Sequence, residues 1–173
     1  PGTPRTQSVS AVLLDVSGQP SFCLWGGFAP SKDNCQASLS VDGYAYSFAS
    51  GQWRTLPTPI NAEGDTISLG GGSAVALSDS LLLCMGGVNK DIFLQGLQKA
   101  APDYLLHPAE WYCFNKCLLV YNARRKQWTE VMRTSDIARA GAALVIDGKS
   151  CFYINGELKP GIRTSAITKI QLH

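Results

Sequence analysis

Two side chains near the end of the sequence could move a proton and hold an anion. They are Glu157 and Arg163, in the segment Ile154-Asn-Gly-Glu-Leu-Lys-Pro-Gly-Ile-Arg-Thr164. A carboxylate can act as acid and base in turn, and a guanidinium grips another carboxylate through two parallel hydrogen bonds, which an ammonium cannot do. Lys159 lies between them, and the glycines and proline bend the segment into a loop, where binding and catalytic groups concentrate. Such a pair also reads as an ordinary surface ion pair, worth under about 1 kcal/mol. Convergence argues for chemistry. Arg139 and Arg5 lead into strands on the same face as this loop, and His107 and Glu110 lie in a long insertion that reaches it. Several cations around one acid suggest an anionic small molecule, with the acid free for proton transfer.

The elements that must position these groups repeat. Val9–Asp15 and Phe22–Trp25 read as strands joined by Ser-Gly-Gln-Pro. Gly26-Gly27 follows, then strands around Tyr44-Ala-Tyr46 and Gln52-Trp-Arg-Thr. A second unit repeats the order with Gly72–Leu77, Leu81–Met85, Gly86-Gly87, Leu118–Tyr121 and a strand opening on Gln127-Trp128. A third runs Gly141–Ile146, Cys151–Ile154, Asn155-Gly156 and Ala166–Leu172. The units span about 5–57, 70–133 and 139–173, within one domain covering 1–173. Paired glycines followed by Tyr and Trp form the kelch pattern: glycines permit a sharp turn where units crowd, and the aromatics fill the wedge between neighbours. The expected fold is therefore all-β, a kelch β-propeller with about three four-stranded blades present. An immunoglobulin-like sandwich is the rival, but it would not require the same signature to recur.

Strands of a meander alternate in direction, so every second-to-third connection and every lead-in to a first strand emerges on one side. That side receives residues 28–41, the insertion 88–115, residues 157–164, and the lead-ins at Arg5, Gly70 and Arg139. Within the insertion, apolar residues at 92, 93, 94 and 97 predict a short helix. Trp111, Tyr112 and Phe114 make the insertion a lid, either docking it or meeting a ligand.

Composition removes several classes. The 173 residues are 45% hydrophobic and 16% charged, ordinary for a folded domain. Fifteen Lys and Arg against thirteen Asp and Glu leave +2, and the basic run Arg124-Arg125-Lys126 falls at a hairpin turn, so nucleic acid is a poor partner. No apolar run approaches the roughly 18 residues of a membrane span, and residues 1–8 lack the pattern of a secretion signal. Cys23, Cys84 and Cys151 sit in apolar strands as small hydrophobes. Cys113 and Cys117 lack the partners of a zinc site, so no metal or cofactor is expected.

The segments Gly86-Gly-Val-Asn-Lys-Asp-Ile-Phe, His107-Pro-Ala-Glu-Trp-Tyr-Cys-Phe-Asn, Arg139-Ala-Gly-Ala-Ala and above all Asn155-Gly-Glu-Leu-Lys-Pro-Gly-Ile-Arg-Thr resemble the kelch-type bacterial N-acetylneuraminate (sialic acid) mutarotases, specifically their circularly permuted subgroup. The resemblance spans nearly the whole chain. It implies a six-bladed propeller in a periplasmic or exported setting and interconversion of the α and β anomers of sialic acid. Glu157 and Arg163 fall on the family's proposed catalytic pair. Arg139, Asn89, Arg5, His107 and Asn155 become substrate-binding candidates, although both asparagines serve equally well as turn or cap formers. Three units where six are implied correspond to the C-terminal half of such an enzyme. The expected partners are sialic acid, and the missing half of the propeller or a second copy of the chain. Two rivals remain: a kelch-type protein- or carbohydrate-binding module without catalysis, and a glycosidase, which would pair Glu157 with Glu110 or Asp103.

Overall fold

A computed structural model describes residues 2–32, 35–99 and 102–172. Positions 33–34 of the 28–41 connection, 100–101 of the insertion, and residues 1 and 173 of the expected domain lie outside the described residues. Strands form where β-branched and aromatic residues alternate between flanking turn residues. In the first unit, β1 (Val9–Leu14) pairs with β2 (Pro20–Trp25). β3 (Phe28–Ala29) and β4 (Ser38–Leu39) make a small ladder of their own, and β5 (Gly43–Ser47) and β6 (Trp53–Leu56) complete a sheet ordered β1-β2-β5-β6. The second sheet contains β7 (Ser73–Ala76), β8 (Leu81–Met85), β9 (Cys117–Asn122) and β10 (Gln127–Arg133), with helix α1 (Lys90–Lys99) between β8 and β9. The third unit has β11 (Ala143–Asp147), β12 (Ser150–Ile154), a separate hairpin of β13 (Glu157–Lys159) and β14 (Ile162–Arg163), and β15 (Ile167–Gln171). Its sheet is ordered β11-β12-β15. All three sheets are antiparallel meanders.

The sheets pack side by side over two cores. Trp25, Leu82, Leu119, Tyr121 and Trp128 join the first sheet to the second. Leu83, Met85, Leu118, Ile137, Cys151 and Tyr153 join the second to the third. In the first of these cores the indole N–H groups of Trp25 and Trp128 both donate to the carbonyl of Pro57, each at 3.0 Å, so two large aromatics are buried without an orphaned donor. The buried Cys23 thiol is pushed up to about 11 by desolvation, and burial raises the Cys84 and Cys151 thiols likewise, which keeps them protonated. Tyr121 and Trp128 fill the wedge expected of them. The equivalent cross-strand pair of the first unit, Tyr46 and Trp53, lies on its outer flank, with Trp53 40% exposed.

Backbone hydrogen bonds also stitch together the lead-ins to the first strands. The N–H of Gly71 donates to Gln7 O at 3.1 Å, and the N–H of Gly141 donates to Gly71 O at 2.7 Å. The three units are thereby aligned at their first-strand ends, where their loops open into a common space.

Candidate functional site

The site is built from one backbone device used three times. After the second strand of each sheet the chain turns through Gly26-Gly27, Gly86-Gly87 or Asn155-Gly156, with φ of 68° and 105°, 68° and 105°, and 59° and 105°. The first position is left-handed, a region that Asn enters more readily than other non-glycine residues. At the second, a Cβ on Gly156 would sit 3.0 Å from Ala140 O and from Ala142 Cβ, so glycine is needed for space as well as for φ. The turn then delivers the next residue into the same place each time: Phe28, Val88 and Glu157. Phe28 exchanges two backbone hydrogen bonds with Thr6, both 2.8 Å. Val88 N–H donates to Gly70 O at 3.0 Å, and Glu157 exchanges bonds with Ala140 at 2.7 and 3.0 Å. All three residues line one cavity of about 1040 Å³.

Within that cavity the third unit supplies the chemistry. Glu157 and Arg163 are direct cross-strand partners on β13 and β14, and their side chains approach to 3.6 Å between Nε and Oε1. The Glu157 side chain is 34% exposed, and that of Arg163 is 81% exposed. A charged donor fork is thus presented to solvent beside a half-sheltered carboxylate. Asn155, Thr164 and Ser165 complete this end of the cavity. The hairpin is braced by Thr164 N–H donating to Gly156 O at 2.9 Å and Asn155 N–H donating to Ala166 O at 3.0 Å. Lys159 ties it to the insertion, its ammonium donating to the carbonyls of His107 at 2.6 Å and Leu105 at 3.1 Å.

Of the seven residues proposed from the sequence, Asn155, Glu157 and Arg163 meet at the cavity, and the other four are engaged elsewhere. Arg139 is 2% exposed. Its guanidinium donates to Ala166 O at 2.8 Å, Thr168 Oγ1 at 2.7 Å and Tyr153 O at 3.2 Å, and lies 4.6 Å over the Tyr153 ring. It clasps the backbone on both sides of the Asn155 turn rather than reaching into the cavity, and desolvation lowers its pKa. Arg5 has the matching place in the first unit. It donates to both carboxylate oxygens of Asp42 and, at 3.2 Å, to Gly26 O. This contact holds the Asp42 carboxyl below its usual range. Asn89 caps α1, its Oδ1 accepting from the N–H groups of Asp91 and Ile92 at 3.1 Å each. His107 stacks on Trp111 at 3.9 Å and lies 3.8 Å from Asp103. All four stand in lead-ins or the insertion, but their side chains turn inward or along the surface.

Sequence reasoning missed the brace from Lys159, which links residues more than 50 positions apart. It also missed the apolar wall of the cavity, Phe28, Leu39, Val88 and Phe93. A signal for that wall was available, since Phe28 and Val88 follow glycine pairs in the same register as Glu157. The insertion is docked by its aromatics: Tyr112 and Phe114 are buried in a cluster with Leu39, Val88 and Ala140.

Repeated meanders, glycine-pair turns and the buried Tyr121–Trp128 wedge define the fold as a β-propeller of the kelch type, here with an acid and an arginine set into one wall of a shared cavity. The model of the N-acetylneuraminate epimerase family matches residues 1–173, and the chain belongs to that family. It is 34% identical to the N-acetylneuraminate epimerases of Salmonella paratyphi B and Salmonella newport over 96% of its length and 44% of theirs. To that of Yersinia pestis it is 29% identical over the same shares. The solved structure of YjhT superposes with a TM-score of 0.80 at 28% identity, covering 99% of this chain and 51% of that one. The chain therefore spans about half the length of the relatives it matches. No helix among the described residues is long and apolar enough to cross a membrane.

Proposed function

We propose that this chain forms the catalytic wall of a sialic acid mutarotase, with Glu157 transferring the proton and Arg163 holding the sugar's carboxylate. The observation that carries the reading is the cross-strand pairing of Glu157 with Arg163 at the cavity, 3.6 Å apart. Exchange between the anomers of a 2-keto sugar acid begins with loss of the proton from the anomeric hydroxyl. Protonation of the ring oxygen breaks its bond to C2 and gives the open-chain ketone. Rotation about the bond from C2 to C3 exposes the other carbonyl face, and the freed hydroxyl closes on it as the proton moves back. One carboxylate can serve each transfer in turn. A guanidinium beside it pins the substrate carboxylate one bond from the reacting carbon and screens the negative charge of the approaching anion. Arg139, buried behind the turn, fixes the backbone that aims Glu157, and Arg5 has a like structural role in the first unit.

The remaining cavity walls belong, on this reading, to further propeller units, carried by another part of the protein or by a second copy of the chain. The uncovered Tyr46–Trp53 flank fits a neighbour packed as the first unit packs on Tyr121 and Trp128. The family resemblance also suggests a periplasmic location.

The test is exchange spectroscopy by NMR on N-acetylneuraminate, with titration calorimetry alongside, on the native protein. The reading expects faster α/β exchange and measurable binding. Exchange at the uncatalysed rate together with no binding would overturn it.

A further inference from the structure

The cavity has two chemically different ends. Glu157, Arg163, Asn155 and Thr164 form the end belonging to the third unit, and Phe28, Leu39, Val88 and Phe93 form the other. Between them lie Gly70, Gly71 and Gly72, which bring bare backbone to the cavity surface. The apolar end is held in place by three independent devices. Phe28 is paired to Leu39 across the β3–β4 ladder and to Thr6 through reciprocal backbone bonds. Val88 is fixed to Gly70. Phe93 rides on α1, whose first turn is capped by Asn89, and its N–H donates to Asn89 O at 3.0 Å. The Phe28 and Phe93 rings meet edge to face, 5.4 Å apart and perpendicular. Leu39 and Val88 are buried beneath them, 3% and 8% exposed, while both phenyl rings remain half-buried at the cavity surface. A rigid apolar surface facing the same space as a catalytic acid is what a ligand's apolar group requires.

We propose that this apolar end is the subsite for the N-acyl methyl group of the sugar acid, so that it sets specificity for the substituent on C5. The proposal rests on the mutarotase reading. In the six-membered ring of a 2-keto nonulosonic acid, C5 lies across the ring from C2, the reacting carbon that bears the carboxylate. A ligand with its carboxylate on Arg163 and its anomeric hydroxyl toward Glu157 therefore directs its C5 substituent away from the third unit, past the glycines, toward Phe28 and Phe93. The glycines leave room for the flat ring to lie against backbone, and the phenyl rings desolvate the methyl group.

The experiment compares two substrates on the native protein, N-acetylneuraminate and its analogue with a hydroxyl at C5, by NMR exchange rates over a range of concentrations. The wild type should favour the acetylated compound by about five- to tenfold in kcat/KM, the scale of one buried methyl group. Phe93→Ala and, separately, Phe28→Ala should bring the ratio close to one while exchange of the hydroxyl analogue persists. Equal efficiency on the two compounds in the wild type overturns the subsite and leaves the mutarotase reading standing. An unchanged ratio in either variant that still melts cooperatively does the same. If both variants fail to fold, the wild-type ratio alone decides. Exchange of neither compound overturns both proposals.

Discussion

The Gly86-Gly87-Val88 turn and the Asn155-Gly156-Glu157 turn have the same φ values to within 10° and the same position after a second strand, and in each the third residue donates its N–H to the lead-in of its own sheet, yet only one carries an ionisable group. The scaffold is thus separable from the chemistry. Packing fixes the backbone of both turns, and the residue that emerges next is free to be Val or Glu. They differ in what surrounds the first position. A Cβ on Gly86 would run into Tyr153 Oη and the carbonyl of Arg139, whereas the corresponding position in the third unit is exposed and carries Asn155. The second unit's turn is pressed against its neighbour. No following unit covers the third unit's turn among the described residues.

The largest break in this comparison comes from Gly86→Ala. It places a side chain both in a left-handed conformation and against Tyr153, the residue that joins the second and third sheets. The expected loss is about 4 kcal/mol or more, or failure to fold, whereas Asn155→Ala, strained but not crowded, should cost about 1 kcal/mol. Denaturant melts of the two variants check this, and equal losses would remove the distinction between the turns.

Arg163→Lys sharpens the comparison at the chemical end. It keeps the charge but loses the planar fork, so affinity for N-acetylneuraminate should fall about tenfold with the melting temperature unchanged, since the side chain is 81% exposed. Calorimetry beside a thermal melt reads both quantities.

The smallest effect is an acid sensitivity centred on Glu130, where the second unit meets the segment that leads into it. The Glu130 carboxylate accepts from Arg133 at 2.7 and 2.8 Å and from Ala62 N–H at 2.9 Å. These contacts lower its pKa to about 2 from the ordinary 4.5. A depressed folded-state pKa gives stability that is present above about pH 4.5 and lost as pH falls toward 2. Melting temperature should therefore decline over that window, less steeply in Glu130→Gln, and parallel curves would contradict the assignment.

Strand positions and the meander order were legible because alternation and turn residues are local signals, and the chain's second-to-third connections lengthen where α1 and the hairpin fall. The β13–β14 pairing was hidden in a stretch of two- and three-residue strands too short to show a period. Glu157 and Arg163 were readable as a pair because they share one short loop. Arg139 was misjudged because sequence shows a charge but not its partners. Its acceptors are the carbonyls of Tyr153 and Ala166 and the hydroxyl of Thr168, which only the folded sheet brings to one place.

The central claim is that Glu157 carries the proton. Glu157→Gln keeps the shape of the side chain and its place on β13 but removes the titrating group. The account predicts that NMR exchange of N-acetylneuraminate anomers falls by about 100-fold or more in this variant while calorimetric affinity survives. Exchange at the wild-type rate by a variant that binds normally would contradict it.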